Sequence, residues 1–150
     1  MAPIMEKIVA AKVGIIRHML ESIDTLPLED VEIFTADARM VAAGESMLRR
    51  GIEALMDLGR HILAKGFSSP VAEYKEIGKR LGERRVLSRE QATLLVQMAG
   101  YRNRLVHFYD EITPEELYDI LTTRLDDIDA VLGELLAWLR THPELLDKAL

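Results

Sequence analysis

The sequence predicts an all-α protein: an antiparallel up-down bundle of four to five helices forming a single domain over residues 1–150. Three observations predict it. Apolar residues recur at helical spacing along most of the chain, and β-branched alternation is scarce. Capping residues, prolines and glycines stand where the periodic stretches begin and end. The stretches between them are short.

The first helix is expected over about residues 3–25, where Ile4, Ile8, Ala11, Ile15, Met19 and Ile23 recur, and Pro27 in "TLPLED" forbids continuation. Its Glu6, Lys7, Lys12 and Arg17 interrupt the apolar residues, which argues for an amphipathic helix and against a signal peptide. A second helix is expected from about 29 to 65, with Ile33, Ala36, Met40, Ala43, Met47, Ile52, Leu55 and Leu58 on one side. In "KGFSSP", Gly66 suits the residue after a helix end and Pro70 prevents extension. A short helix follows at about 71–84, weakened by Gly78 and Gly82. Ser88 and Gln91 in "SREQ" form a capping box that starts a helix over about 88–110. Thr113, Pro114 and Glu116 form a second start signal, for a last long helix over about 114–141 carrying Leu117, Leu121, Leu125, Ile128, Leu132, Leu135 and Leu139. The tail "PELLDKAL" has the makings of one more turn.

Composition narrows the function. The chain has no cysteine, which excludes disulfides and thiolate chemistry and fits a reducing cytoplasm. His18, His61, His107 and His142 include no pair at metal-ligand spacing, and HExxH, GxxxxGK[ST] and GxGxxG motifs are absent, so neither a metal nor a cofactor is expected. No apolar run approaches the length of a membrane span. The net charge of −6 argues against indiscriminate nucleic-acid binding. The charge is uneven, however. Residues 79–107 hold seven basic and two acidic residues, whereas residues 108–150 hold three basic and eleven acidic ones. A basic window in an acidic chain suits a specific anionic ligand, or else arginines that are solvated and paired with the acidic C-terminal helix.

That window ends in "GYRNRLVHFYDE", residues 100–111, where Arg102, Asn103, Arg104, His107 and Tyr109 crowd an otherwise apolar helix. Continued as a helix at about 100° per residue, Asn103 shares a face with His107 and Arg102 nearly shares one with Tyr109, while about 140° separates Arg102 from His107. One small ligand meets both only if the arginine stem reaches around or a second copy completes the site across a two-fold axis. Imidazole takes and gives protons near neutral pH, and guanidinium matches phosphate oxygens. Together they suffice for metal-free RNA cleavage, with histidine removing the 2′-hydroxyl proton and arginine holding the charge on the phosphate. Taken singly, these residues also suit ordinary roles: solvated arginines, a histidine at a helix C-terminus, a half-buried tyrosine.

"RNRLVHFY" resembles the Arg-x4-His-x-Tyr motif of the HEPN superfamily in its HepT-like branch, with Arg102, His107 and Tyr109 in the fixed positions and Asn103 matching the polar residue after the arginine. The preceding segment "RRGIEALMDLGRHILAKGFSSPVAEYKEIGKRLGERRVLS" is similar to the family's own, and the resemblance covers about residues 30–140. It departs at "MLRRG", where a glutamine-bearing helix start is more usual. The resemblance implies a HEPN-like fold and a homodimer, or a higher oligomer, in which two motifs face one cleft. It implies a metal-independent endoribonuclease toxin, silenced by a cognate nucleotidyltransferase antitoxin through AMPylation of Tyr109. By this analogy Arg102 and His107 are catalytic and Asn103 supports them. Arg104, Arg80, Arg84, Arg85 and Arg89 are candidate contacts to the RNA substrate. Two other readings stay open: a non-catalytic module that binds RNA or nucleotides, and a structural bundle whose polar stretch seals a dimer interface.

Overall fold

A computed structural model describes residues 3–107 and 111–147. The fold is all-α, with seven α-helices among the described residues. They are α1 (Glu6–Ile23), α2 (Val31–Ala36), α3 (Ala38–His61), α4 (Tyr74–Glu83), α5 (Arg89–Val106), α6 (Pro114–Thr123) and α7 (Leu125–Arg140). Two short parallel strands, β1 (Ile4–Met5) and β2 (Leu146–Asp147), pair the two ends of the described chain.

The helix count exceeds the expected four to five because two predicted helices are each broken in two. The stretch 29–65 breaks at Asp37, which leaves helical geometry (φ −105°, ψ 102°) and caps α3 by accepting from the Arg39 amide at 3.0 Å. The stretch 114–141 breaks at Arg124 (φ −114°, ψ −3°). Just before it, the Thr122 hydroxyl donates back to the Tyr118 carbonyl at 2.8 Å and the Thr123 hydroxyl to the Asp119 carbonyl at 2.6 Å, a local competition that bends helices.

The long α3 is the centre of the molecule. It lies antiparallel to α1, as three contacts along the pair show: Met19 against Gly51, Lys12 on Asp57 at 3.3 Å, and the Met5 amide donating to His61 Nε2 at 2.9 Å. Ile52, Leu55, Met56 and Leu58 of α3 are fully buried in the one hydrophobic core, with Ile16 of α1, Ile77 and Leu81 of α4, Leu95 of α5 and Leu135 of α7. The buried stripe of α1 is Val9, Ile16, Met19 and Ile23, not the predicted line through Ile15, which is 38% exposed. The break at Asp37 likewise turns Ile33 outward and Phe34 inward.

Gly66 does not end a helix in left-handed geometry as expected. It closes a π-helical turn, Ile62–Gly66, and Ser68 takes the positive φ of 51°. A side chain at Gly66 would stand 3.1 Å from Ile4 Cδ1, so close packing explains the residue. The tail forms a 3-10 turn, Pro143–Leu145, before β2.

The α4–α5 pair carries the basic window. It is antiparallel and very close, because Gly78 of α4 faces the backbone of α5: a Cβ there would lie 3.1 Å from the Ala92 carbonyl oxygen and 3.2 Å from the Val96 nitrogen. Both predicted capping boxes form only their first half. Ser88 Oγ accepts from the Gln91 amide at 3.2 Å, but the Ser88 amide donates to Glu134 of α7 at 2.8 Å. Thr113 Oγ1 accepts from the Glu116 amide at 3.1 Å, and the Glu116 carboxylate is used elsewhere.

Gly78→Leu is expected to lower the unfolding free energy by roughly 1–3 kcal/mol, since the added side chain must separate α4 from α5. Gly133→Ala, on the exposed side of α7 with nothing within 4 Å, is expected to raise it by up to about 1 kcal/mol. Urea denaturation of both variants against the parent measures the two signs.

Candidate active site

The motif occupies the last turn of α5, which ends at Val106 rather than at about residue 110. His107 is the C-cap, in extended geometry (φ −107°, ψ 127°), with its amide donating to the Asn103 carbonyl at 3.1 Å. The helical projection that put Asn103 and His107 on one face therefore stops short of His107. Tyr109 lies outside the described residues, so its expected alignment with Arg102 is not described either.

Arg102 is held on three sides. Its Nε donates to Glu53 Oε2 at 2.9 Å, its Nη1 donates to Asn103 Oδ1 at 3.2 Å, and its guanidinium stacks over the Tyr74 ring with 4.5 Å to the centroid. The same Glu53 carboxylate accepts from Arg49 Nη1 at 2.8 Å, one helical turn earlier on α3. A guanidinium has five N–H donors, and two of them are engaged here, which leaves donors for a ligand. Arg102 and Asn103 line an open cleft of about 430 Å³ together with Arg60, Tyr74 and Lys75. Arg60 lies over the same Tyr74 ring at 5.0 Å and donates to the Ala72 carbonyl at 3.3 Å. Three cations thus border one cleft whose aromatic wall organises two of them.

His107 lines a different cleft, of about 300 Å³, with Glu45, Arg104, Leu105, Glu111 and Ile112. Within one chain the predicted catalytic pair is therefore not brought together: Arg102 and Asn103 serve one side of the α5 end, and His107 the other. Glu45 stands in the histidine cleft with its carboxyl held above the usual range, first by burial and then by the charge of Glu111.

The other candidate arginines separate in the same way. Arg104 forms a two-pronged pair with Glu116 at 2.6 and 2.7 Å, which ties α5 to α6 and pulls the Glu116 carboxyl below its ordinary value mainly through those hydrogen bonds. This is the pairing with the acidic C-terminal region that charge alone allowed. Arg80 donates to Ser69 Oγ at 2.7 Å and steadies the loop before α4. Arg84 covers the Phe67 ring at 5.5 Å, and Arg85 is exposed in the α4–α5 turn with φ 59°. Arg89 alone of this group lines a further groove, between α4 and α5.

Glu53, Tyr74, Arg60, Lys75 and Glu45 were not singled out from the sequence. Glu53 had a signal: a carboxylate inside "GIEALM", on a helix otherwise apolar at that point. Tyr74 and Arg60 had none, because only tertiary packing brings them to Arg102: Tyr74 comes from α4 and Arg60 from the end of α3. Among the described residues no group of three or more His, Asp or Glu is placed to hold a metal ion, and no helix is long and apolar enough to cross a membrane.

The ribonuclease HepT-like family matches residues 16–135, most of the chain and the whole of the motif region. The chain belongs to that family. Its activity class is that of an RNA endonuclease. A tRNA nuclease HepT from Aphanizomenon flos-aquae (strain 2012/KM1/D3) is 30% identical over 100 residues, 67% of this chain and 68% of that protein. Among solved structures, the tri-AMPylated Shewanella oneidensis HEPN toxin in complex with MNT antitoxin is similar at a TM-score of 0.81, with 20% identity, covering 89% of this chain and 99% of that one. The Bacillus subtilis cytosolic protein YutE, of unknown function, is similar at a TM-score of 0.78, with 20% identity and 95% of each chain covered. At 20% identity these two establish the HEPN fold alone.

Glu53→Ala should free Arg102 to wander and lower RNA cleavage about tenfold, while costing about 1 kcal/mol of stability because both groups are partly exposed. Kinetics on RNA and urea denaturation read the two effects separately. Glu116 carries a pH signature. Its carboxyl is depressed below 4.5 in the folded chain, so its contribution to stability is present above 4.5 and disappears as pH falls through the lower folded value. Glu116→Gln should therefore be less stable than the parent at pH 7, and the difference should shrink as pH is lowered below 4.5, as measured by denaturation midpoints.

Proposed function

We propose that this protein is the toxin nuclease of a toxin–antitoxin pair, cutting RNA in the cytoplasm without a metal, as a homodimer or a higher oligomer. His107 removes the proton from a ribose 2′-hydroxyl. The resulting alkoxide attacks the adjacent phosphorus, the bond from phosphorus to the 5′-oxygen breaks, and a cyclic 2′,3′-phosphate is left behind. The leaving 5′-oxygen takes a proton from the imidazole of a second copy, and the Arg102 guanidinium holds the charge that builds on the non-bridging oxygens. DNA lacks the 2′-hydroxyl and is not cut.

The observation that carries this reading is the held guanidinium: Arg102, fixed by Glu53 and Tyr74 with donors to spare, at a cleft that Arg60 and Lys75 make more positive. Because His107 serves another cleft of the same chain, the reading needs a two-fold mate to bring an imidazole to each arginine. The related tRNA nuclease makes tRNA the first substrate to test. The complex of a HEPN toxin with MNT antitoxin supports a nucleotidyltransferase partner, and the AMPylated state of that toxin supports AMP transfer to Tyr109 as the silencing step. Added nucleotides would bring charge and bulk beside the motif, where phosphate must bind.

A second reading is favoured by the same separation of Arg102 from His107: a module that binds RNA without cutting it. One experiment divides the two. In EDTA, the wild type should cut tRNA, leaving cyclic phosphate ends, and His107→Ala should lose roughly 10²-fold or more of the rate while binding RNA within a few-fold of wild type. Equal cutting by both proteins rejects the mechanism, and binding without cutting by the wild type establishes the second reading.

A further inference from the structure

Beyond the Arg102 cleft, the α4–α5 pair carries a second concavity, a groove of about 480 Å³. Its floor is Gly82, Ala92 and Val96, and Lys75, Lys79 and Arg89 stand along it with Glu83 and Thr93. Lys75 borders both this groove and the Arg102 cleft, so the two concavities meet. We propose that the groove is the path of single-stranded RNA, running from a phosphate held at Arg102 along α4 and over Lys75, Lys79 and Arg89.

Three observations carry this inference. The first is charge commitment. Arg104 is spent on Glu116, Arg80 on Ser69 and Arg84 on Phe67, whereas Lys75, Lys79 and Arg89 make no side-chain hydrogen bond or ion pair among the described residues. Three free cations gathered on a chain of net charge −6 form a local positive field, which suits a polyanion. The second is spacing. Lys75 and Lys79 are one turn apart on α4, about 6 Å along its axis, comparable to the step between successive phosphates of a single strand. The third is the floor. Gly78 lets α4 and α5 pack closely, and Gly82, Ala92 and Val96 leave a trough with an apolar floor between the cations. No aromatic ring lines this groove, so bases find no stacking platform there and binding should depend on the backbone rather than on sequence.

The inference rests on the RNA-cutting reading, and its test is chosen to fail separately. Binding is measured on the His107→Ala protein, which needs no cleavage, by fluorescence anisotropy with fluorescein-labelled single-stranded RNAs about 12 nucleotides long. Adding Lys79→Ala and Arg89→Ala should weaken binding about tenfold and reduce the slope of log affinity against log salt by roughly 1.4, the share of two phosphate contacts on a single strand. The loss should be alike for adenine-rich and uracil-rich strands. In the active protein the same pair should lower kcat/KM on long RNA about tenfold. Arg39→Ala, on a side chain 86% exposed at the start of α3, serves as the control and should change neither. Unchanged affinity and salt slope in the double variant, with RNA still bound, overturns the track and leaves the nuclease reading intact. A change in sedimentation with no change in RNA affinity overturns it too, by assigning the groove to contact between copies.

Discussion

The ion pair between Glu53 and Arg102 is the constraint on which the site depends. α3 is the buried central helix, and its flank offers one carboxylate at the level where α5 crosses. That carboxylate accepts from Arg49 on its own helix and from Arg102 on α5, so it is anchored before it anchors the motif arginine. A long side chain at the end of a helix would otherwise sample many rotamers, and ordering it at the moment of ligand binding would cost affinity. Here the ordering is done by folding. Tyr74 completes the hold from a third element, which makes the position of Arg102 a property of the tertiary structure rather than of the motif.

The end of α5 at Val106 has the next largest consequence. Had the helix run on to residue 110, motif residues would be distributed around one cylinder at fixed angles. Instead the chain leaves helical geometry at His107, and the side chains divide between two clefts on either side of the helix end. The division explains why the residues between the motif positions matter. Arg104 faces α6 and locks to Glu116, so the last turn of α5 is tied to the first turn of α6 by a two-pronged charged contact. Glu45 and Glu111 outnumber Arg104 in the histidine cleft, whereas Arg60, Lys75 and Arg102 outnumber Glu73 in the arginine cleft. Two neighbouring sites of opposite character on one chain suit a composite site made by symmetry better than a self-contained one.

Most of the helical architecture was legible in the sequence because its signals are local. Periodicity located the buried helices, and Ser88 and Thr113 marked two helix starts that the structure keeps. The misreadings share a cause. Asp37 and Arg124 break helices at residues that periodicity alone passes over, and the register of α1 and α2 shifts with the partner each helix packs against. The capping boxes lost their second halves because Glu134 offered the Ser88 amide a tertiary partner and because Arg104 claimed the Glu116 carboxylate. At the site, helical projection set Asn103 beside His107, whereas the structure puts Asn103 on the cleft of Arg102 and His107 on another, because the helix stops before His107. Tyr74, Arg60 and Lys75 lie between 27 and 42 positions from Arg102 in the chain, and only tertiary packing brings them there, Tyr74 and Lys75 on α4 and Arg60 at the end of α3.

The docking of α4 on α5 also sorts the basic window by function. Charge alone could not tell which of its cations were structural, because a guanidinium looks the same in sequence whether or not a carboxylate meets it in space. Once folded, the sorting follows geometry. Cations that face the loop before α4, or α6, are satisfied by protein groups. Those that face the seam between α4 and α5 stand over small apolar residues with Glu83 and Thr93 at the side and form no side-chain hydrogen bond or ion pair among the described residues, so their charge stays directed at solvent and at whatever anion enters. The glycine that lets the two helices approach, Gly78, therefore has an electrostatic effect as well as a packing one: a larger residue would part the helices and widen the trough over which that charge is spread.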